Sequence, residues 1–249
     1  MEIIWVMSAV GGCGATTAAA GIAAGLGKRG RRVLLSEWNA IGSLEVYLGC
    51  MDQPFSSLGD VLSGRVSLKE AAFPPEGAAF DLLPCGIPEE AATPEQVSSL
   101  ISLGKEAEYD FLVLDVPPLE GLLPLLVEVS DRILPVATQT AVSRRALSYW
   151  GMRLAALGGG NIRFLLNGFS QETPPALSEW IDEVRLPLAG AIPASAELAR
   201  LAEAGALGAK LPKSGNAAIA FSNIAGRLCG EQIPLFFGFR GVNRKKLIR

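Results

Sequence analysis

A glycine-rich loop near the start of the chain has the residue types and spacing of a segment that binds phosphate. It reads Ser8-Ala9-Val10-Gly11-Gly12-Cys13-Gly14-Ala15-Thr16-Thr17. Glycines allow successive backbone N–H groups to converge on an anion, and a helix that begins directly after them adds the positive end of its dipole. The alternative is an ordinary strand-to-helix turn, because glycine-rich turns are common. The glycines alone leave both interpretations open.

Composition excludes several other kinds of chemistry. The 249 residues include no histidine, which excludes His-ligated zinc, Ser-His-Asp triads and Cys-His nucleophiles. The four cysteines, Cys13, Cys50, Cys85 and Cys229, form no C-x-x-C pair and indicate neither a zinc nor an iron–sulfur site. They fit a reducing cytoplasm better than a disulfide framework. With a net charge of −3 and a pI near 5.2, we expect no specific nucleic acid partner.

The elements that would position the loop alternate along the chain. Apolar runs typical of buried strands span Ile3–Met7, Val33–Glu37, Phe80–Pro84, Phe111–Asp115, Ile133–Ala137, Arg163–Asn167 and Leu188–Ile192. Helical patterns span Thr16–Lys28, Pro94–Glu108, Gly121–Val129, Val142–Leu157, Pro175–Glu183, Ala196–Ala204 and Ala217–Cys229. The alternation predicts an α/β fold: a mainly parallel seven-stranded sheet with helices on both faces. Binding sites in such folds lie at the carboxyl ends of the strands.

We predict one domain over residues 1–234 and a separate tail over residues 235–249. No internal repeat and no Ser/Pro-rich linker interrupts the alternation before about residue 234. The segment Ile3–Gly27 has no charged residue, but its glycines and threonines favour a strand, a loop and a small-residue helix over a membrane span.

The glycine-rich loop resembles the deviant Walker A motif of the MinD/ParA family of P-loop ATPases, which is usually written K-G-G-x-G-K-T-T. Val33–Asn39 resembles the strand that ends in that family's D-x-D motif, and Tyr109–Pro118 is similar to its Walker B and switch II strand. Residues 191–205 and 212–231 resemble the last third of the MinD branch. The run Gly14-Ala15-Thr16-Thr17 also resembles the CpaE/TadZ branch, which is associated with pilus placement.

This resemblance implies a P-loop fold and a site for ATP or ADP with Mg²⁺. The residues that would contact the nucleotide are Gly11, Gly12, Cys13, Gly14, Ala15, Thr16, Thr17, Asn39, Asp115, Asn167 and Pro193. Among them, Thr16 and Asp115 would hold the metal, and Asn167 would contact adenine. The alternatives are that Asp115 only caps a turn at the end of its strand and that Asn167 only forms a turn.

The sequence departs from the family pattern where the chemistry is done. Val10 and Ala15 replace the two lysines, and each lost charge-assisted contact costs about 1.5–3 kcal/mol. Asn39 replaces the aspartate that positions the attacking water, and an amide has no basic site at neutral pH. We therefore expect weak nucleotide binding and no catalytic residue. The basic residues at 28, 29, 31 and 32 lie beyond the first helix and are interpreted as a solvated turn rather than replacement cations.

The tail has five basic and no acidic side chains, interleaved with aromatic ones. The residues that would contact an anionic membrane are Phe236, Phe237, Phe239, Arg240, Arg244, Lys245, Lys246 and Arg249. Gly238, Gly241 and Asn243 weaken a helix here, so the alternatives are a disordered basic tail or a tail packed on its own domain.

The combined hypothesis is a MinD/ParA-like spatial organiser with a degenerate ATP site. It would act as a scaffold or nucleotide-sensing switch, in the cytoplasm and peripherally on the inner face of the cell membrane. Its expected partners are cell-division or pilus machinery proteins, an anionic membrane surface and a second copy in a homodimer that ATP does not drive. The alternative is a slow but genuine ATPase of the same family that a partner completes.

Overall fold

A parallel sheet forms the centre of the molecule. The computed structural model describes residues 1–38, 43–51, 56–84, 93–207 and 215–242. The strands are β1 (Glu2–Ser8), β2 (Val33–Glu37), β3 (Asp81–Leu83), β4 (Phe111–Asp115), β5 (Arg132–Thr138), β6 (Phe164–Phe169) and β7 (Leu188–Pro193). They form one seven-stranded sheet in the order β3-β2-β4-β1-β5-β6-β7, and every paired strand runs parallel to its neighbour. The predicted parallel architecture is confirmed.

Helices cover both faces of this sheet. They are α1 (Ala15–Gly27), α2 (Ser43–Leu48), α3 (Leu58–Leu62), α4 (Leu68–Ala71), α5 (Pro94–Glu106), α6 (Leu123–Val129), α7 (Ala141–Ala156), α8 (Leu177–Val184), α9 (Ala196–Glu203) and α10 (Asn216–Leu228). The central strand β1 shows the layering, since Ile4 and Val6 pack with α1 and α10 while Ile3, Trp5 and Met7 pack with α5 and α6. A strand that is buried on both faces has a continuous apolar sequence.

Small residues bring α1 close to α10. A Cβ atom on Gly21 would lie 2.1 Å from the ring of Phe221, and one on Gly25 would lie 2.9 Å from the Cβ of Ala225. The two glycines are four residues apart and therefore lie on the same face of the helix. The helix that starts at the glycine-rich loop is thus held rigidly against the sheet and against α10.

The seven predicted strands and the seven predicted helices are all present, with bounds that differ by at most two residues. The short helices α2, α3 and α4 were not predicted, because segments of four to six residues contain too few turns to show a helical period. Two of them are fixed by local capping: Ser57 and Asp60 form a capping box for α3, and Ser67 and Glu70 form one for α4.

Residues 235–242 pack on the domain as a series of turns. Phe236 is buried, with its ring centroid 5.3 Å from that of Phe169 and 5.3 Å from that of Phe239. The side-chain amide of Asn223 donates to the Phe237 carbonyl at 2.7 Å. This part of the tail therefore matches the alternative of packing on its own domain, while Arg244, Lys245, Lys246 and Arg249 lie outside the described residues. Among the described residues, no helix is long and apolar enough to cross a membrane.

Candidate functional site

A cavity of about 350 Å³ opens at the carboxyl ends of β1, β2 and β4. We call it the loop cavity, because the glycine-rich loop forms one wall. Its lining comprises Ser8, Gly11, Gly12, Cys13, Gly14, Ala15, Thr16, Thr17, Glu37, Ser43, Tyr47, Asp115 and Pro117. Seven of the residues predicted from the sequence as phosphate-loop residues are therefore together in one cavity, with Asp115 opposite them. The position agrees with the rule that parallel sheets bind ligands beyond the carboxyl edge.

The backbone of the loop is arranged to present N–H groups. Gly12 and Gly14 have φ of +72° and +83°, a left-handed conformation that strongly favours glycine. Gly14 is also the N-cap of α1 and provides no side-chain cap for the first-turn N–H groups, which are the donors that an anion at a helix N-terminus uses. The loop is anchored at its base, where the Ala9 N–H donates to the Val136 carbonyl at 2.9 Å and the Trp150 indole donates to the Ala9 carbonyl.

Asp115 lies at the end of β4, directly behind the start of α1. The Thr16 hydroxyl donates a hydrogen bond to its carboxylate, which favours the ionised form, but burial is the larger effect and raises the pKa of Asp115 to about 6. Its Oδ2 atom is buried and has no hydrogen-bond partner among the described residues. A hydroxyl and a buried carboxylate oxygen next to a phosphate-binding backbone form a suitable pair of ligands for a hard divalent cation.

Glu37 brings a second carboxyl group to the same place. Glu37 and Asp115 are register partners at the ends of the adjacent strands β2 and β4. The Leu44 N–H donates to Glu37 Oε2 at 2.8 Å, whereas Oε1 is buried without a partner in the described part of the chain. Burial is the main cause that raises the pKa of Glu37 to about 8; the negative charges of Asp115 and Glu45 act in the same direction, and the hydrogen bond from Leu44 acts against them. Glu37 is therefore mostly neutral at pH 7.

Asn167 contacts the loop rather than the cavity. Its side-chain amide donates to the Cys13 carbonyl at 2.9 Å, and a Cβ atom on Gly14 would lie 2.2 Å from the same nitrogen. Neither Asn167 nor Pro193 is among the residues that line the loop cavity. The structure gives Asn167 a positioning role toward the loop, and contact of either residue with adenine stays a prediction. Asn39 lies outside the described residues.

Positive charge is missing from the described lining. Among the described residues, those that line the loop cavity include no lysine and no arginine. Arg29 pairs with Glu231 and donates to the Ser222 carbonyl, and Arg32 lies 5.4 Å from the Tyr109 ring centroid. Both arginines follow α1 and make their contacts away from the loop. The interpretation of these residues as part of a basic turn therefore agrees with where the structure places them.

Sequence reasoning did not identify Glu37, Ser43 and Tyr47 as site residues. Glu37 could have been found, because it ends the strand next to β4, and binding sites in parallel sheets lie at the carboxyl ends of the strands. Ser43 and Tyr47 belong to α2, whose six residues give no helical period in the sequence. Among the described residues, no three acidic, cysteine or histidine side chains are grouped so that they could hold a metal ion.

Comparison with known proteins agrees with the site geometry. Residues 1–148 match a family model described as an AAA domain. The septum site-determining protein MinD of Bacillus subtilis (strain 168) is 27% identical over 252 residues, covering 94% of this chain and 91% of that protein.

Two solved structures are also similar to this chain. A chain of the MinC:MinD cell division protein complex of Aquifex aeolicus has a TM-score of 0.83 and 26% identity, covering 94% of this chain and 98% of its own. The septum site-determining protein MinD from Pyrococcus horikoshii OT3, complexed with Mg-ADP, has a TM-score of 0.75 and 26% identity, covering 93% of this chain and 99% of its own.

Proposed function

Because the chain belongs to the MinD/ParA family of P-loop ATPases, we propose that it is a spatial organiser of that family with a degenerate ATP site. It binds nucleotide weakly, hydrolyses it little, and acts as a scaffold or nucleotide-sensing switch. The observation that supports this proposal best is that the loop cavity keeps one part of a nucleotide site and lacks another. The phosphate-binding backbone and the Thr16–Asp115 pair are present, and the described lining contains no lysine or arginine.

The residues of the loop cavity fit a nucleotide with Mg²⁺. The left-handed Gly12 and Gly14 and the first turn of α1 offer N–H groups to phosphates. Thr16 and the unpartnered Oδ2 of Asp115 would hold the metal. When bound, Mg²⁺ would supply positive charge against the phosphates, which the described lining of the cavity does not supply.

Hydrolysis is disfavoured by three separate substitutions. Phosphoryl transfer depends on positive charge around the transferred group, and Val10 and Ala15 provide none. Two lost charge-assisted contacts weaken binding by about 3–6 kcal/mol, or on the order of 10² to 10⁴ in affinity. Asn39 can hold a water by hydrogen bonds but has no basic group to accept its proton.

The proposed partners are proteins of the division or pilus machinery, together with the membrane. The similarity to a chain of the MinC:MinD complex favours a division protein, whereas the Gly14–Thr17 run favours a pilus role. The membrane contact would come from Arg244, Lys245, Lys246 and Arg249, and from Phe237, which is 58% exposed. A homodimer is also proposed, without a contribution from ATP, because the lysine that bridges subunits in the family is replaced by Val10.

The second candidate function is a slow ATPase that a partner completes. The buried carboxylate of Asp115 and its Thr16 hydroxyl favour this candidate, because they keep the metal-binding half of a working site. A partner would then provide the missing cations across an interface, as arginine fingers do in other nucleotide hydrolases.

Calorimetric titration with Mg²⁺-ATP and single-turnover hydrolysis test the proposal together. We expect weak binding by the natural chain and a hydrolysis rate equal to that of buffer. Ala15→Lys restores one charge-assisted contact and should tighten binding by about 10- to 100-fold. Hydrolysis should stay at the buffer rate in this variant, because Asn39 is unchanged.

Asp115→Ala separates the two candidate functions. It should weaken nucleotide binding in the presence of Mg²⁺ and leave the hydrolysis rate at the buffer level. A rate clearly above that of buffer in the natural chain, lost in Asp115→Ala, would establish the slow ATPase instead. An Ala15→Lys variant that binds Mg²⁺-ATP no better than the natural chain would contradict the interpretation of the loop cavity as a nucleotide site.

A further inference from the structure

A second cavity, which we call the basic pocket, lies at the opposite edge of the sheet. Its volume is about 330 Å³. It lies where β5, β6 and β7 begin, whereas the loop cavity lies where β1, β2 and β4 end. Its polar lining residues are Arg132, Asn161, Arg163, Arg227, Glu231 and Gln232, and apolar side chains of the sheet and of α10 form the rest.

The basic pocket has more positively charged side chains than carboxylates that pair with them. Arg132 pairs with Glu2 at 3.2 Å, and Glu231 pairs with Arg29. Arg163 and Arg227 have no carboxylate partner among the described residues. The Nε of Arg163 donates to the Asn161 side chain at 3.4 Å, and no hydrogen bond within the described chain uses its two Nη atoms. Two guanidinium groups at one cavity thus remain without a counter-charge.

Arg227 is held in place by the backbone. Its Nε donates to the Ala189 carbonyl at 3.0 Å and its Nη1 to the Ile233 carbonyl at 3.2 Å. Its Nη2 lies beside Gly190, where a Cβ atom would approach it to 3.1 Å, and makes no hydrogen bond to the described residues. Burial lowers the pKa of Arg227, with no carboxylate to offset this effect. A partly buried cation held rigidly with one free N–H₂ group is prepared for an external anion.

We propose that the basic pocket binds the phosphate group of a small soluble phosphomonoester between Arg163 and Arg227. The two uncompensated guanidinium groups match the two negative charges of a phosphomonoester at neutral pH. Planar guanidinium groups bind phosphate oxygens in a bidentate manner. The Asn161 and Gln232 amides can contact polar atoms of the rest of the molecule.

The experiment must distinguish phosphate binding in the basic pocket from phosphate binding in the loop cavity, where it is also expected. We suggest titrating the full chain with inorganic phosphate and with glycerol 3-phosphate as probes, and following backbone amide signals by NMR. The signals of Asn161 and Gln232 report on the basic pocket, and those of Gly12 and Gly14 report on the loop cavity. Two charge-assisted contacts predict saturation in the millimolar range.

Arg163→Gln is the informative variant, because Arg163 is exposed and its removal leaves the backbone contacts of Arg227 intact. It should weaken binding at Asn161 and Gln232 by about tenfold or more and leave the response at Gly12 and Gly14 unchanged. Arg145→Gln removes an equal charge from an exposed position on α7 and should change neither response. The proposal is overturned if the signals of Asn161 and Gln232 do not move, or if they move equally in Arg163→Gln.

Discussion

At the scale of single residues, the unusual feature is a carboxyl pair in a cavity that has lost its lysines. Glu37 and Asp115 end neighbouring parallel strands and are 3% and 6% exposed. In a site with cations, both would be held in the ionised form. Here burial dominates, and it raises the pKa of Glu37 to about 8 and that of Asp115 to about 6. Neutral Glu37 removes one negative charge from a site that is proposed to receive phosphates.

The raised pKa of Glu37 predicts a pH-dependent stability. The folded state holds this proton up to about pH 8, whereas the unfolded chain releases it near pH 4.5, where a glutamic acid side chain ordinarily ionises. The free energy of unfolding should therefore fall as pH rises between these values, by up to about 1.4 kcal/mol per pH unit. Glu37→Gln keeps an oxygen for the Leu44 N–H and carries no titrating proton, so this part of the slope should disappear.

Urea denaturation across pH 4.5 to 8 measures this effect. Glu128→Gln is the matched control, because Glu128 is exposed on α6, and it should keep the slope of the natural chain. If the stability of Glu37→Gln and that of the natural chain change in parallel with pH, Glu37 is ionised in the folded protein and burial does not raise its pKa.

At the scale of elements, the sequence was sufficient to predict a strand or helix wherever its residues form a repeating pattern. Every strand of the sheet contains a short apolar run, and the longer helices contain enough turns for their period to be recognised. The glycine-rich loop was identified because glycine spacing is local. The site residues that the sequence did not identify depend on contacts between distant parts of the chain, since Ser43 and Tyr47 reach the cavity through α2. The family resemblance pointed to Asn167, but not to its contact with Cys13, 154 positions away in the sequence. No local pattern encodes such a contact.

The contact between β6 and the glycine-rich loop predicts different costs for two similar substitutions. Gly12 and Gly14 both have positive φ, so alanine at either position costs about 1–2 kcal/mol of backbone strain. A Cβ on Gly12 meets nothing within 4 Å, but one on Gly14 meets the Asn167 amide at 2.2 Å. Gly14→Ala should displace that amide, break its bond to Cys13, and cost about 1 kcal/mol more than Gly12→Ala.

The comparison is repeated in an Asn167→Ala background, where the obstructing amide is absent. There the two alanine substitutions should destabilise the protein equally, as measured by denaturant unfolding. If Gly14→Ala remains the more costly substitution without Asn167, its cost comes from the backbone of the loop, and Asn167 does not position the loop in the way inferred from the hydrogen bond.

At the scale of the whole molecule, the parallel sheet separates three surfaces with different chemistry. The loop cavity lies at the carboxyl edge and is lined by two buried carboxyl groups and a phosphate-binding backbone. The basic pocket lies where the last three strands begin. The tail starts after α10 and returns to β6, where Phe236 packs on Phe169. Because Phe236 fills the core, removing everything after Pro234 would destabilise the domain and would not report on membrane binding alone.

Membrane binding is therefore best tested with substitutions that leave Phe236 in place. Changing Arg244, Lys245, Lys246 and Arg249 to glutamine removes four charges, each worth about 1 kcal/mol near an anionic surface. Binding to phosphatidylglycerol vesicles should weaken by two to three orders of magnitude, on the order of 3–4 kcal/mol. Phe237→Ser should weaken it further, since this ring is exposed while its carbonyl keeps the bond from Asn223.

Sedimentation with vesicles at low and high salt measures both the affinity and its electrostatic part, which salt should suppress. The matched control changes four exposed basic residues elsewhere, Arg31, Lys69, Arg145 and Arg200, to glutamine. This control has the same net charge as the tail variant, so it should keep the binding of the natural chain if attachment depends on the tail. Equal loss in both variants would assign the attraction to overall charge, and equal pelleting of all three proteins would remove the membrane from the proposed function.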